Sequence, residues 1–477
     1  MQWIRVALVA EAHDELCPSG LGEMKVFSFA FDHVGKALKE IDDLLGVDRH
    51  RHLRQRIPGA IFDLHVAVAP FTSVYVIRAT AENQRCRTVR GTRLHAMPAD
   101  IRLLDEEQRA LVQMVREFGA QEARPASEEY ERRSEDPLPL YKKLAELGLT
   151  GIPFPEAFGG GGRPYAMYLL VVEELARNYL GLAIGLSVHT LCAFAVNEFG
   201  TERQRKEILE KLALGEWMGA YSLSEPQSGS DAAALTTKAA RVEGGYTLNG
   251  SKVFCTRGAE ADVVLVMART GDPGAKGITA FLIEKDTKGF SGSKKEDKMG
   301  WRSSPTWMLS LEEVEMPDDH RLGAEGDGFK IAMASLDSGR LGIAACAVGL
   351  AQAALDEAVR FTSEREQFGQ PVNHNQGVQF MLADMATSVE AARSLYRHAA
   401  RLKDAGQDYS LQAAQAKLFC TDAAMRVTTD AVQLHGGYGY ITDYPVERFM
   451  REAKGLQIVE GTNQIQRYVI GRRITKA

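Results

Sequence analysis

The sequence predicts a multidomain α+β protein: an N-terminal helical domain, a central β-barrel-like domain and a C-terminal four-helix bundle, preceded by a small α/β extension. Three observations carry that prediction. Helical periodicity runs from Pro98 to about Trp217 and returns after Phe329. Strand-like runs bounded by hairpin turn signals fill the interval. Residues 1–96 differ in composition from everything that follows. At 477 residues the chain is too long for one ordinary core. The expected segments are 1–96, 97–218, 219–327 and 328–477.

The extension holds six of the eleven histidines and carries 13 Lys/Arg against 11 Asp/Glu. Phe31, Val34, Leu38, Ile41 and Leu45 are spaced as a helix, and Ile61–Ala69 and Ser73–Ala79 as strands. Asp48–Arg56, rich in Arg and His, reads as a solvated basic face, because no acidic or cysteine partner completes a ligand set. Glu11, Asp14, Glu15 and Glu23 speak against a transit peptide. Either this segment is an appended module, or the natural start is Met97.

In the first helical stretch, Asp105 ahead of Glu106 and Glu107 marks a helix start, with Leu104, Leu111, Val115 and Phe118 as its buried face. Leu140, Leu144 and Leu147 belong to a second helix closed by Gly148. Phe158–Gly162 reads as a flexible break before helices over Tyr165–Asn178, Gly181–Phe199 and Thr201–Leu214. Gly244-Gly245 and Asn249-Gly250 are hairpin signals, and Asp262–Arg269, Ile278–Glu284 and Trp307–Met316 are β-rich. Beyond Gly328 four long helices form the bundle: one to Thr362, one along Leu382 to Leu402, one from an N-cap at Ser410 to Gly436, and one after Gly461. Leu411, Leu418, Met425 and Val432, seven apart, mark the third.

Composition excludes several classes. A net charge of −6 gives no global attraction to nucleic acid, and no apolar run approaches the roughly 20 residues of a membrane span. Six scattered cysteines without a C-x-x-C pair argue against a metal site or disulfide scaffold; a cytoplasmic setting is expected. No G-x-G-x-x-G, P-loop, nucleophile elbow or zinc helix occurs.

Polar and glycine-rich clusters fall instead at the domain seams. They are Leu223-Ser224-Glu225-Pro226 with Gly229-Ser230-Asp231; Lys252–Gly258; Asp337 with Gly339-Arg340; Arg365–Gly369 with Gln376; Gln433–Gly439; and Glu460-Gly461-Thr462. Arg340 three residues after Asp337 is placed for a local pair or for an anion. Glu460 follows the apolar residues Leu456, Ile458 and Val459, and Thr462 is a good N-cap for a helix carrying Ile465, Tyr468 and Val469. The residues alone leave Glu460 as a general base or as decoration of that helix.

Taken in order, with Leu248–Lys252, Gly326–Lys330 and Ile465-Gln466-Arg467, these blocks resemble the acyl-CoA dehydrogenase family over about residues 97–477, nearest to its short-chain, butyryl-type members. The resemblance implies FAD, an acyl-CoA substrate, a homotetramer and electron transfer to an electron-transferring flavoprotein. It implies that Glu460 removes the α-proton while the β-hydrogen leaves as hydride to flavin N5, giving a trans-2-enoyl-CoA. It also implies that Leu223, Ser224, Phe254 and Thr256 line the flavin ring. Arg365, Gln376, Gln433, Gly436, Gly437, Thr462 and Gln464 would serve the rest of FAD; Ser230, Asp337, Arg340 and Gly461 would contact acyl-CoA, with Ser230 also near the cofactor. Some members carry the base just before the helix arginine; here that position is Gly339. Phe254-Cys255-Thr256-Arg257 departs from the frequent Trp-Ile-Thr-Asn, and Val459 from a frequent tyrosine. An acyl-CoA oxidase using O₂ and a non-catalytic scaffold are the rival readings.

Overall fold

The computed structural model describes residues 104–475, with the backbone of five short strands before them. It divides into two units, Met1–Leu104 and Asp105–Ala477. In the first, β1 (Gln2–Leu8) pairs antiparallel with β2 (Lys25–Phe31) and in parallel with β5 (Val76–Ile77), while β3 (Arg54–Ile57) and β4 (Ala60–Asp63) form a hairpin. The expected strand runs overlap β4 and contain β5, whereas β1, β2 and β3 were not expected, although Ser19-Gly20 between β1 and β2 is a turn signal in the sequence. Phe31 ends β2, and the rest of the helix expected there, like Asp48–Leu53, lies outside the described residues.

In the second unit Asp105 caps α1 (Glu106–Phe118) through a capping box with Gln108. The helix does not stop at Phe118. It widens by one turn over Gly119–Ala123 and runs on as α2 (Arg124–Arg133), where Pro125 is tolerated near the start. Next come α3 (Leu138–Glu146), closed by Gly148 at φ 69°, α4 (Tyr165–Asn178) and α5 (Leu180–Phe199). The glycine run before α4 is pinned rather than loose: Gly161 N–H donates to Gly151 O and Gly162 N–H to Phe154 O. Thr201 caps a further helical run to Ala213.

The β-domain is one sheet in the order β11 (Phe290–Lys295), β12 (Thr306–Pro317), β8 (Gly245–Thr256), β7 (Lys238–Val242), β9 (Val263–Arg269), β10 (Ile278–Glu284), β13 (Arg321–Leu322), with β6 (Gly219–Ser222) parallel on β9. β7 meets β9 at the single pair Lys238↔Arg269, so the sheet folds there into two halves. Alternation then buries both faces of β9. Val263, Leu265 and Met267 pack with helical residues such as Cys192 and Leu209, while Val264, Val266 and Ala268 pack with Leu248, Leu309 and Val314.

The C-terminal bundle contains α6 (Gly328–Glu364), α7 (Gln376–Asp404), α8 (Ser410–His435) and α10 (Asn463–Thr475), plus a shorter helix the sequence reading passed over, α9 (Val446–Leu456). Its signal was present: Val446, Phe449, Ala453 and Leu456 keep helical spacing and are buried. Ser410 is not an N-cap. It is the first helical residue, its N–H donates to Asp408, and its hydroxyl donates to Asp337. The row Leu411, Leu418, Met425 and Val432 is only half-buried in the single chain; the close-packed face of α8 is made of smaller residues, among them Ala413, Ala416, Ala424, Val427 and Ala431.

Contrary to the sequence reading, α5 and α6 are long and apolar enough to span a membrane, but their apolar windows are 83% and 72% buried within the protein. They are core helices. Gly349 lets α6 touch α4, since a Cβ there would stand 2.1 Å from Glu173 O. The Glu173 carboxylate accepts from Arg393 Nε at 2.8 Å and from Tyr396 Oη, fastening α4 to α7. Burial raises its pKa, but Arg393, Arg397 and Tyr396 outweigh burial and hold it at about 2. A carboxylate held below its ordinary value of about 4.3 stabilises the fold above that value, and the contribution is lost as pH falls toward about 2. The thermal midpoint should therefore fall between pH 5 and 3, and Glu173→Gln should flatten that dependence while lowering the midpoint at pH 7.

Candidate functional site

The turn between α9 and α10 puts Glu460 in the left-handed region at φ 52°, followed by Gly461 at φ 91°. A branched or bulky neighbour could not follow this path easily, and a glutamate adopts it only where surrounding contacts hold it. Those contacts come from three helices. Gln466 Nε2 donates to the carbonyls of Glu460 (3.2 Å) and Gly461 (2.9 Å). Lys417 Nζ on α8 donates to Gly461 O at 2.9 Å, and Arg340 Nε on α6 reaches Glu460 O at 3.5 Å. Thr462 caps α10 by accepting from Ile465 N–H at 3.3 Å, as its sequence position predicts.

The residues of this turn are partly exposed, but both Glu460 carboxylate oxygens are shielded from solvent and lack a hydrogen-bond partner among the described residues. Burial raises the carboxyl to about 8, against the opposing pull of Arg340 and then Lys417. Gly339 makes room for it: a Cβ there would stand 2.3 Å from Glu460 Oε2 and 2.7 Å from Leu191 Cδ2. Tyr165, Tyr168 and Cys346 surround the carboxylate, and burial, with Glu460's charge adding to it, raises each of them above its ordinary value. Tyr221 on β6 joins them and donates to Ala332 O on α6, bringing the end of the β-domain to the same place.

The candidate residues fall into three groups. Arg340 pairs with Asp337, the local pair that three-residue spacing allows, and Asp337 also accepts from Ser410; these adjoin Glu460, Gly461 and Thr462. Leu223, Ser224, Phe254 and Thr256 gather where β6 and β8 end. A buried Lys252–Glu225 ion pair ties that place together, Lys252 Nζ also donating to Leu223 O. Phe254 there is 72% exposed at φ 58°, an aromatic face held outward at the end of β8. Arg365, Gln433, Gly436 and Gly437 line a cavity of about 430 Å³ with His435 and Tyr438. Ser230, Gln376 and Gln464 stand exposed outside these groups.

Arg257, whose departure from the family pattern raised the question of an altered surface, is 1% exposed, pairs with Asp136 and lies 4.0 Å over the Tyr141 ring. It joins the β-domain to the helical domain and presents no charge outward. Sequence reasoning missed Lys417, Gln466, Tyr165 and Tyr168. A lysine among the small residues of α8 was the one available signal, since burial there leaves its charge to be explained.

Three family profiles match the chain in succession: acyl-CoA dehydrogenase N-terminal domain over residues 105–216, middle domain over 220–314 and C-terminal domain over 326–475. An acyl-CoA dehydrogenase of Bacillus subtilis is 48% identical over 369 residues, 77% of this chain and 97% of that protein. Butyryl-CoA dehydrogenase from Megasphaera elsdenii superposes with TM-score 0.77 at 45% identity, over 78% of this chain and 99% of its own. A chain solved under the description of the electron transferring flavoprotein of Acidaminococcus fermentans does so with TM-score 0.78 at 48% identity, over 78% and 99%.

Members of this family bind FAD, and the residues present fit it. Phe254 offers a flat apolar face that needs cover, and Arg365, stacked on Tyr438 without an acidic partner among the described residues, suits a pyrophosphate. The chain belongs to the acyl-CoA dehydrogenase family of FAD-dependent oxidoreductases.

Proposed function

We propose that the protein dehydrogenates a short-chain acyl-CoA to the trans-2-enoyl-CoA, with Glu460 as the base that takes the α-proton. The observation that carries this reading is the buried, unpartnered Glu460 carboxylate on a turn held by three helices. Its raised pKa makes it a stronger base than an exposed glutamate. Bound FAD supplies the acceptor for the β-hydride. Leu223, Ser224, Phe254 and Thr256 would hold its ring, and Arg365, Gln433, Gly436 and Gly437 the remainder, with Thr462, Gln376, Gln464 and Ser230 at the margins. Arg340 and Asp337 order the wall beside the base, with Gly461 giving the thioester close access to the backbone. The Glu460 N–H would donate toward the thioester carbonyl as negative charge develops there, and preorganised donors of this kind contribute about 3–4 kcal/mol each.

The likeness to the Megasphaera butyryl-CoA dehydrogenase supports a short acyl chain. The likeness to the chain described with an electron transferring flavoprotein supports transfer to such a partner rather than to O₂. We further infer a homotetramer built through the bundles. The half-buried row on α8 and the exposed Phe368, Phe380 and Tyr440 support it, because such apolar side chains are better covered by another copy.

Anaerobic addition of butyryl-CoA to the FAD-loaded enzyme should bleach the flavin absorbance, and faster as pH rises through about 8, where the base loses its proton. Glu460→Gln should keep FAD yet slow bleaching by about 10²–10⁴-fold. Normal turnover in that variant would end the assignment. Gly339→Ala should also slow bleaching while retaining FAD, since its Cβ displaces the carboxylate, and Gly339→Glu should bring no improvement. Steady peroxide formation from butyryl-CoA in air would favour the oxidase reading.

A further inference from the structure

Lys417 is 0% exposed, and its ammonium donates to Gly461 O at 2.9 Å and Asn463 Oδ1 at 2.8 Å. Both acceptors are neutral. A glutamine could staple the turn through the same carbonyl, so the staple does not account for a charge, whose burial is costly without an opposite one. Arg340, the other cation here, has its counter-ion in contact, in Asp337. Lys417 has none in contact among the described residues; the acidic groups acting on it are Glu460 and then Asp422, with Arg340 opposing. Asp422 is already engaged, accepting from Asn463 Nδ2 at 2.7 Å and from Arg467. That leaves Glu460 as the carboxylate to which this charge answers.

We propose that Lys417 is a positioning residue for the base: it holds the turn that aims Glu460, and its charge favours the carboxylate form of that residue. The inference rests on the reading of Glu460 as the base. The groups facing Glu460 are Arg340 and Cys346 from α6, Lys417 from α8, Tyr165 and Tyr168 from α4 and Tyr221 from β6. Of these only Arg340 and Lys417 are cations, and Arg340 is already neutralised at contact. Burial, as the largest effect, lowers the Lys417 ammonium below its ordinary value, and the Glu460 carboxylate pulls it back up. Lysine and base therefore titrate as a pair, each stabilising the charged form of the other.

The test compares Lys417→Gln, which keeps a donor, Lys417→Met, which keeps none, and Lys417→Arg, which keeps the charge. Two readouts are followed against pH in the FAD-loaded protein: the rate of anaerobic bleaching by butyryl-CoA, and the infrared carboxylic-acid band that Glu460→Gln removes. In whichever neutral variant holds FAD, both midpoints should rise by about one pH unit or more, because removing a positive neighbour favours the protonated acid. Slowing should be about tenfold below the midpoint and should vanish in alkali. Lys417→Arg should stay near the native midpoint. Unshifted midpoints, equal slowing at every pH, or loss of FAD from both neutral variants would overturn the proposal. A Glu460→Gln enzyme that bleaches normally would instead remove the base reading itself, so the two failures are distinguishable.

Discussion

Two adjacent carbonyl oxygens, those of Glu460 and Gly461, receive donors from α6, α8 and α10, and the geometry of the site depends on that clamp. The backbone at Glu460 sits in a region that a non-glycine residue leaves when it is free to do so. Helices fixed elsewhere in the bundle supply the restraint. A strained turn at the meeting point of three rigid elements is the arrangement expected where a side chain must be aimed more accurately than a loop alone would allow.

The same turn also explains why α6 carries glycine at Gly339 and why α4 and β6 bring tyrosines toward the carboxylate. The acid sits in space made by a missing Cβ, among phenols and a thiol that burial keeps neutral. Low polarity raises the base, while Arg340 and Lys417 restrain that rise. The resulting value is a balance between solvent exclusion and two cations of different standing, one neutralised at contact and one not.

Much of this could be read from the residues. Tyr165–Asn178 has the predicted bounds, Asp105 and Thr462 cap as their positions imply, and Arg340 pairs with Asp337 at the spacing that permits it. The misses have physical causes. The sequence reading named a buried face only as far as Phe118, whereas α1 continues through a widened turn into α2. Ser410 looked like a cap because hydroxyls often cap, but Asp408 was nearer the free N–H. The row of large apolar residues seven apart, Leu411 to Val432, drew attention away from the small residues that let α8 pack closely, and so from Lys417 among them. Ion pairs and clamps between distant segments, such as Lys417 with Gly461, leave no periodic trace in one sequence.

Glu460 belongs to a connection between α9 and α10 and not to a helix, and its side chain makes no hydrogen bond among the described residues. Scaffold and reactivity are thereby uncoupled. A descendant that exchanged this one acid for a neutral residue would keep every backbone clamp of the turn, and the buried Lys417 charge alone would lose the carboxylate that answers it. Duplicated copies of such a gene can drift into silent ligand carriers, so global similarity to working dehydrogenases is a weaker sign of turnover than the identity of this single position.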